Sequence, residues 1–176
     1  VDTSGYIRAI IEAARVAAAT EGFEYDGDAA ALRLAQTAYG AHGTGGFAIA
    51  SVAVAEDSVV LCYLDEFQVM PAEQVQGVPN SDSDFGQGFI EGQSLASKRV
   101  NSEYYSGLMA NAGATHTIAE NYDLIQSYAT GKTIAELEEI TASEEDGDVD
   151  AVAGATLVDT KGYLFAIVAA AQTLAE

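Results

Sequence analysis

Phe47-Ala48-Ile49-Ala50-Ser51-Val52-Ala53-Val54, a break at Ala55-Glu56-Asp57-Ser58, then Val59-Val60-Leu61-Cys62-Tyr63-Leu64-Asp65-Glu66-Phe67: this stretch decides the fold class. Valine, isoleucine, phenylalanine and tyrosine favour pleated backbone. Two such runs across a short polar break predict an antiparallel hairpin. Cys62 falls inside the second run and reads as a buried, inert thiol. It is the only cysteine, so no internal disulfide can form. Asp65 and Glu66 read as a solvated strand end.

The hairpin's flanks are helical or loop-like. Upstream, Gly40 to Gly46 (GAHGTGG) is a glycine loop. Ala29 to Tyr39, rich in Ala and Leu, reads as a short helix, and Glu21 to Asp28 as a polar break. Downstream, Pro71 to Gln93 contains both prolines and many Gly, Ser and Asp residues. A loop that long is commonly a lid or a binding loop. Asn101 to Ala110, Thr117 to Thr130 and Thr133 to Ile140 read as helices. In the third, Thr133 and Glu136 have capping-box spacing. Ser143 to Asp150 (SEEDGDVD) is an acidic turn. With few strands in view, the expected class is α+β, a small mainly antiparallel sheet flanked by helices.

The two ends of the chain match each other. Val1-Asp2-Thr3-Ser4-Gly5-Tyr6-Ile7 aligns with Val158-Asp159-Thr160-Lys161-Gly162-Tyr163-Leu164, and 10 of 19 positions are identical through Ala19 and Glu176. The spacing is domain-sized. Residues 1–20 are therefore expected to be the terminal helix of a preceding tandem repeat, and residues 21–176 the next domain. Both segments have amphipathic-helix patterns. Tyr6, Ile7, Ile10, Ile11 and Ala14 share a face opposite Arg8, Glu12 and Arg15. In the last segment the stripe is Tyr163, Leu164, Ile167, Val168 and Ala171, and Phe165, Ala169 and Gln172 lie opposite. Having lost its charges, that helix should be buried on two sides or docked on a neighbour. Thr160 is its expected N-cap.

Charge narrows the function. The chain has 27 acidic and 7 basic residues, a net charge of −20. Phosphate neutralisation needs clustered Lys or Arg, so nucleic acid and anionic membranes are poor partners. Solubility alone accounts for much of the bias. No apolar run reaches the roughly 20 residues of a membrane span. The only histidines are His42 and His116, and no Cys or His cluster has metal-ligand spacing. There is no Ser-His-Asp arrangement, Walker loop or GxGxxG to support a hydrolase or a nucleotide-binding reading.

The acidic turn runs into Asp150-Ala151-Val152-Ala153-Gly154-Ala155-Thr156. This resembles the flavinylation motif of the FMN-binding domains of bacterial extracellular electron-transfer lipoproteins and membrane redox complexes. The motif is Asp, two variable residues, Ser or Thr, Gly, Ala, Thr. Asp150, Gly154, Ala155 and Thr156 match; Ala153 stands where Ser or Thr is usual. Further segments resemble the Gram-positive surface-lipoprotein branch: Ala41-His42-Gly43, Tyr63-Leu64-Asp65-Glu66-Phe67-Gln68, Asn101-Ser102-Glu103-Tyr104-Tyr105-Ser106, Gly131-Lys132-Thr133 and Asp159-Thr160-Lys161-Gly162-Tyr163. Members of that branch often carry domains in tandem.

The resemblance implies FMN joined by a phosphoester to Thr156 by a Mg-dependent flavin transferase that uses FAD as donor. It implies an electron carrier between a membrane donor and an extracellular acceptor, on a cell surface and lipid-anchored at full length. Its partners would be the transferase, membrane or surface redox proteins and the neighbouring repeat. Gly154 and Ala155 keep bulk away from the Thr156 hydroxyl. His42 and Gly43 in the glycine loop and Tyr105 are further candidates to contact the cofactor. Tyr63, Phe67 and Tyr104 are alternative stacking aromatics, or core. Two other readings stay open: a surface ligand-binding or interaction module without flavin, and the flavin module of a larger reductase.

Overall fold

The computed structural model describes residues 3–19, 24–43, 45–81, 90–142, 154–157 and 159–174. Asp150, Ala153 and the acidic turn at 143–150 lie outside the described residues.

Helix α1 (Ser4–Ala19) comes first. A 3-10 turn at Ala29–Ala31 follows, capped by the Asp28 side chain. The sheet strands are β1 (Arg33–Tyr39), β2 (Gly46–Ala55), β3 (Ser58–Pro71) and β4 (Gln93–Ser97). Helices α2 (Ser102–Asn111), α3 (Ile118–Ala129), α4 (Ile134–Ala142) and α5 (Thr160–Gln172) complete the chain. The class is α+β, with a four-stranded antiparallel meander in the order β1-β2-β3-β4.

The hairpin expected from the sequence is β2–β3, paired from Gly46↔Gln68 to Ala55↔Ser58 with one irregularity at Ala53/Val54. Its turn holds Glu56 at φ 54°. The inward positions Ala48, Ala50, Val52 and Val54 of β2, and Cys62 and Leu64 of β3, are buried. Against them pack Ile118, Tyr122 and Ile125 of α3 and Tyr163, Leu164 and Ile167 of α5. Cys62 is buried as expected, and burial pushes its thiol up to about 12.

Ala29 to Tyr39 is not a helix. Only Ala29–Ala31 turns, and Arg33–Tyr39 is an edge strand paired along its length with β2, from Arg33↔Val54 to Tyr39↔Ala48. Ala35, Thr37 and Tyr39 alternate with the more exposed Leu34, Gln36 and Ala38. That period of two, against an available strand edge, outweighs the helical propensity of Ala and Leu. The sheet also gains β4, which pairs Phe67↔Ser97 through Pro71↔Gln93.

Asp65 and Glu66 are not a solvated end, because β3 continues to Pro71 and both carboxylates are buried. Asp65 accepts hydrogen bonds from Ser97 Oγ (2.6 Å), from its neighbour Glu66 N (2.8 Å) and from Arg99 N (3.1 Å). It thereby pins the end of β4.

Helix α5 has Asp159, not Thr160, at its N-cap position. Thr160 is the first helical residue, and its hydroxyl donates to Leu157 O (3.0 Å). Eight of its residues are buried, among them Ala166, Ala170 and Ala171. Small side chains bring it close to β1, β2 and α4, so burial on several sides matches its missing charges. Gly162 allows the nearest approach: a Cβ there would lie 2.1 Å from the Ala41 carbonyl oxygen.

Candidate functional site

Residues from five parts of the chain line one cavity of about 270 Å³: the loop after β1, the turn after β4, helix α2 with its C-terminal turn, the start of α3, and the segment leading into α5. His42 and Asp159 stand on one side. Met109, Gly113 and Ile118 add apolar lining, Tyr105 is half-buried, and Lys98, Ile118 and Tyr163 are the buried members. Thr156 and Leu157 complete the lining, and Thr156 is exposed.

Asn121 holds Thr156 in place. This residue of α3 is fully buried. Its Oδ1 accepts the Thr156 N–H (2.7 Å), and its Nδ2 donates to the carbonyls of Thr117 (2.9 Å) and His116 (3.2 Å). A backbone N–H from His116 also reaches Thr156 Oγ1 at 3.4 Å. The Asn121 amide thus bridges the start of α3 and the 154–157 segment and fixes the backbone on which the hydroxyl is presented. Gly154 has φ 69°, and a Cβ there would meet nothing within 4 Å. Its requirement is the left-handed backbone, which glycine adopts without strain. Ala155 turns inward and is buried.

The floor is ionic. Lys98 Nζ and Glu66 Oε2 are 2.5 Å apart, with both side chains almost wholly removed from solvent. The Tyr163 hydroxyl donates to the same Oε2 (2.5 Å), and Tyr122 OH lies 3.4 Å from Tyr163 OH. Burial, with the Tyr122 and Glu66 groups beside it, pushes the Tyr163 hydroxyl far above the ordinary tyrosine range, so it stays a donor. The Lys98 ammonium also lies 4.2 Å from the centre of the Tyr105 ring. Glu66 Oε1, by contrast, is buried without a hydrogen-bond partner among the described residues.

Of the residues named from sequence, Thr156, His42 and Tyr105 meet at this cavity, and Gly154 and Ala155 shape the segment beside it. His42 Nδ1 pairs with Asp159 Oδ2, joining the glycine loop to the start of α5. Gly43 sits next to it at φ 55° and does not line the cavity. Three aromatic candidates lie elsewhere. Tyr63 is on the opposite sheet face beside Leu34 and Leu61, under the Arg99 guanidinium at 4.9 Å. Phe67 stacks on Phe47 at 5.6 Å. Tyr104 faces Gln74 and Val100. Lys98, Glu66, Asn121 and Met109 were not anticipated. An Asn within the Ile118, Tyr122, Ile125 stripe was the one local signal, since a polar residue on a core face needs a partner.

Comparison with family models, with curated proteins and with solved structures found no match to this chain. Among the described residues, no helix is long and apolar enough to cross a membrane.

Proposed function

We propose that this chain is an electron-transfer module carrying FMN covalently through its phosphate at Thr156 Oγ1. The observation that carries the reading is the convergence of Thr156, His42 and Tyr105, drawn from distant parts of the sequence, on one largely apolar cavity. The residues fit the group. About 270 Å³ is near the lower end of small-ligand pockets, which run from roughly 300 Å³ upward. The exposed Thr156 leaves the attachment end open. Met109, Ile118 and Leu157 offer apolar surface for a planar ring, and Lys98 offers a cation below it. His42 stands where it can donate to a phosphate or a ring edge.

When bound, the flavin would supply one- and two-electron redox chemistry. The protein's part is to hold Thr156 outward through Asn121, to cover one side of the ring and to keep Lys98 fixed. Attachment would belong to the transferase, with Thr156 Oγ1 as the nucleophile, FAD as the donor of FMN and AMP as the leaving group. Tethering suits an extracellular carrier, where a free cofactor would diffuse away. Membrane and surface redox proteins are the partners this implies.

Co-expression with the flavin transferase should add one phosphoester-linked FMN to the intact mass and give yellow protein. Thr156→Ala should remove the increment while leaving the circular dichroism unchanged. Unlabelled wild type under conditions that label a control domain would favour a ligand-binding module without flavin. Labelling that survives Thr156→Ala would move the attachment elsewhere.

A further inference from the structure

The eight positions of α5 that the core buries are Thr160, Tyr163, Leu164, Ala166, Ile167, Val168, Ala170 and Ala171. Their counterparts at the start of the chain are Thr3, Tyr6, Ile7, Ala9, Ile10, Ile11, Ala13 and Ala14. Six are identical and two exchange one branched aliphatic for another. The positions that change chemistry, such as Arg8 for Phe165, Glu12 for Ala169 and Arg15 for Gln172, are not among the buried eight. Likeness between the two segments is therefore concentrated where α5 touches its core. Yet no residue of α1 is buried, and Tyr6 and Ile10 are 72% and 69% exposed.

Gly5 is a second, independent observation. Its counterpart Gly162 is needed because a side chain would strike the Ala41 carbonyl, whereas a Cβ on Gly5 would meet nothing within 4 Å. In the first turn of α1 glycine adds no packing of its own, and among the described residues nothing around α1 requires it. It is explained if α1 must approach a backbone as closely as α5 does.

We infer that α1 is the closing helix of another copy of this domain, placed ahead of this one in sequence, and that its Tyr6, Ile7, Ile10 and Ile11 face docks on that copy's sheet and α3. The occupant is fixed by the match itself: a surface that accepts Tyr163, Leu164, Ile167 and Val168 also accepts these four. Tyr163 lines the cavity at Thr156 and bonds to Glu66. Tyr6 would hold the same place in the other copy, so this chain would carry part of a second such cavity. The inference concerns packing and stands whether or not FMN is the ligand.

The test is an extended chain in which a second copy of residues 24–157 precedes Val1, compared with the 176-residue chain by amide hydrogen exchange. In the shorter chain, amides of residues 4–19 should exchange nearly freely. In the extended chain their protection should rise at least 100-fold, and Gly5→Leu should cancel the rise. Equal exchange in both chains would overturn the inference. So would α1 already protected in the shorter chain, which would place it on its own sheet or on a second molecule. Should the extended chain fail to fold, a transplant decides, with residues 158–176 replaced by a copy of residues 1–19. Cooperative unfolding within about 10 °C of the parent would support the inference, and its absence would end it.

Discussion

At the scale of single residues, the cavity floor combines costly groups that compensate one another. Burying a carboxylate and an ammonium is unfavourable unless they pair, and removing one partner leaves the other uncompensated. Lys98→Met should therefore destabilise the fold by about 3–5 kcal/mol, because it leaves the buried Glu66 carboxyl without its paired ammonium. Adding Glu66→Gln to Lys98→Met should recover part of that loss. Urea unfolding of both singles and the double gives the coupling, and additive losses would show that the pair is not linked. Little of this was legible beforehand. Thr156, His42 and Tyr105 stood out because each lies in a local motif or a glycine loop. Lys98 and Glu66 carry no local sign, since their pairing is made by β3 and β4 lying side by side, and β4 itself was hidden. QSLAS has neither the aromatic nor the β-branched residues that mark a strand, and it follows a loop of Gly, Ser and Asp.

At the scale of elements, the starts of α3 and α4 follow their sequence signals, whereas the cap of α5 and the edge strand do not. Thr117 with Glu120, and Thr133 with Glu136, form reciprocal caps. Hydrogen bonds from the Thr117 and Thr133 backbone N–H and hydroxyl groups hold the two carboxyls below the usual glutamate range. A carboxyl lowered in the folded state contributes stability above its unfolded value near pH 4.5, and the contribution disappears as pH falls through the lower, folded value. In an NMR titration Glu136 should therefore ionise at lower pH than an unpaired glutamate, and Thr133→Ala, which removes the hydroxyl but keeps the backbone N–H, should move it part of the way back. Loss of the Thr133 cap should also cost about 1 kcal/mol at neutral pH. Close packing supplies a second contrast. Gly162→Ala should destabilise by about 1–3 kcal/mol despite alanine's better helix propensity, because its Cβ meets the Ala41 carbonyl. Gly5→Ala in this chain should instead gain up to about 1 kcal/mol of local helix stability and leave the main unfolding transition where it is. The helix expected at Ala29 to Tyr39 failed for a physical reason. Composition reports intrinsic preference, whereas the exposed edge of β2 offers a full ladder of backbone hydrogen bonds that only pairing can satisfy. Within a short segment the alternation of Leu34, Gln36 and Ala38 with Ala35, Thr37 and Tyr39 was the better guide.

At the scale of the whole molecule, two electrostatic effects of different range meet at the proposed flavin. If FMN is bound at Thr156, its reduction would place added negative charge near the cavity. The chain's net charge of −20 disfavours that, and residues 144–150, just before Thr156 in sequence, contribute five carboxylates to it. Each unit charge at about 10 Å contributes roughly 0.4 kcal/mol in bulk water and up to about 1.7 kcal/mol at an effective dielectric of 20, before screening. Several together would lower the midpoint potential by tens of millivolts. Lys98 acts in the opposite sense at short range, but Glu66 at 2.5 Å neutralises most of its field. The long-range negative field should therefore dominate. Salt separates the two effects, because the Debye length falls from about 10 Å at 0.1 M to about 3 Å at 1 M, while a buried pair is screened far less. In spectroelectrochemical titrations of flavinylated protein, the midpoint should rise by tens of millivolts between those salt concentrations. Replacing Glu144, Glu145 and Asp146 by their amides should raise it at low salt and flatten the dependence. If both treatments leave the midpoint unchanged, the acidic surface serves solubility or transferase docking, and the short-range groups around Lys98 set the potential alone.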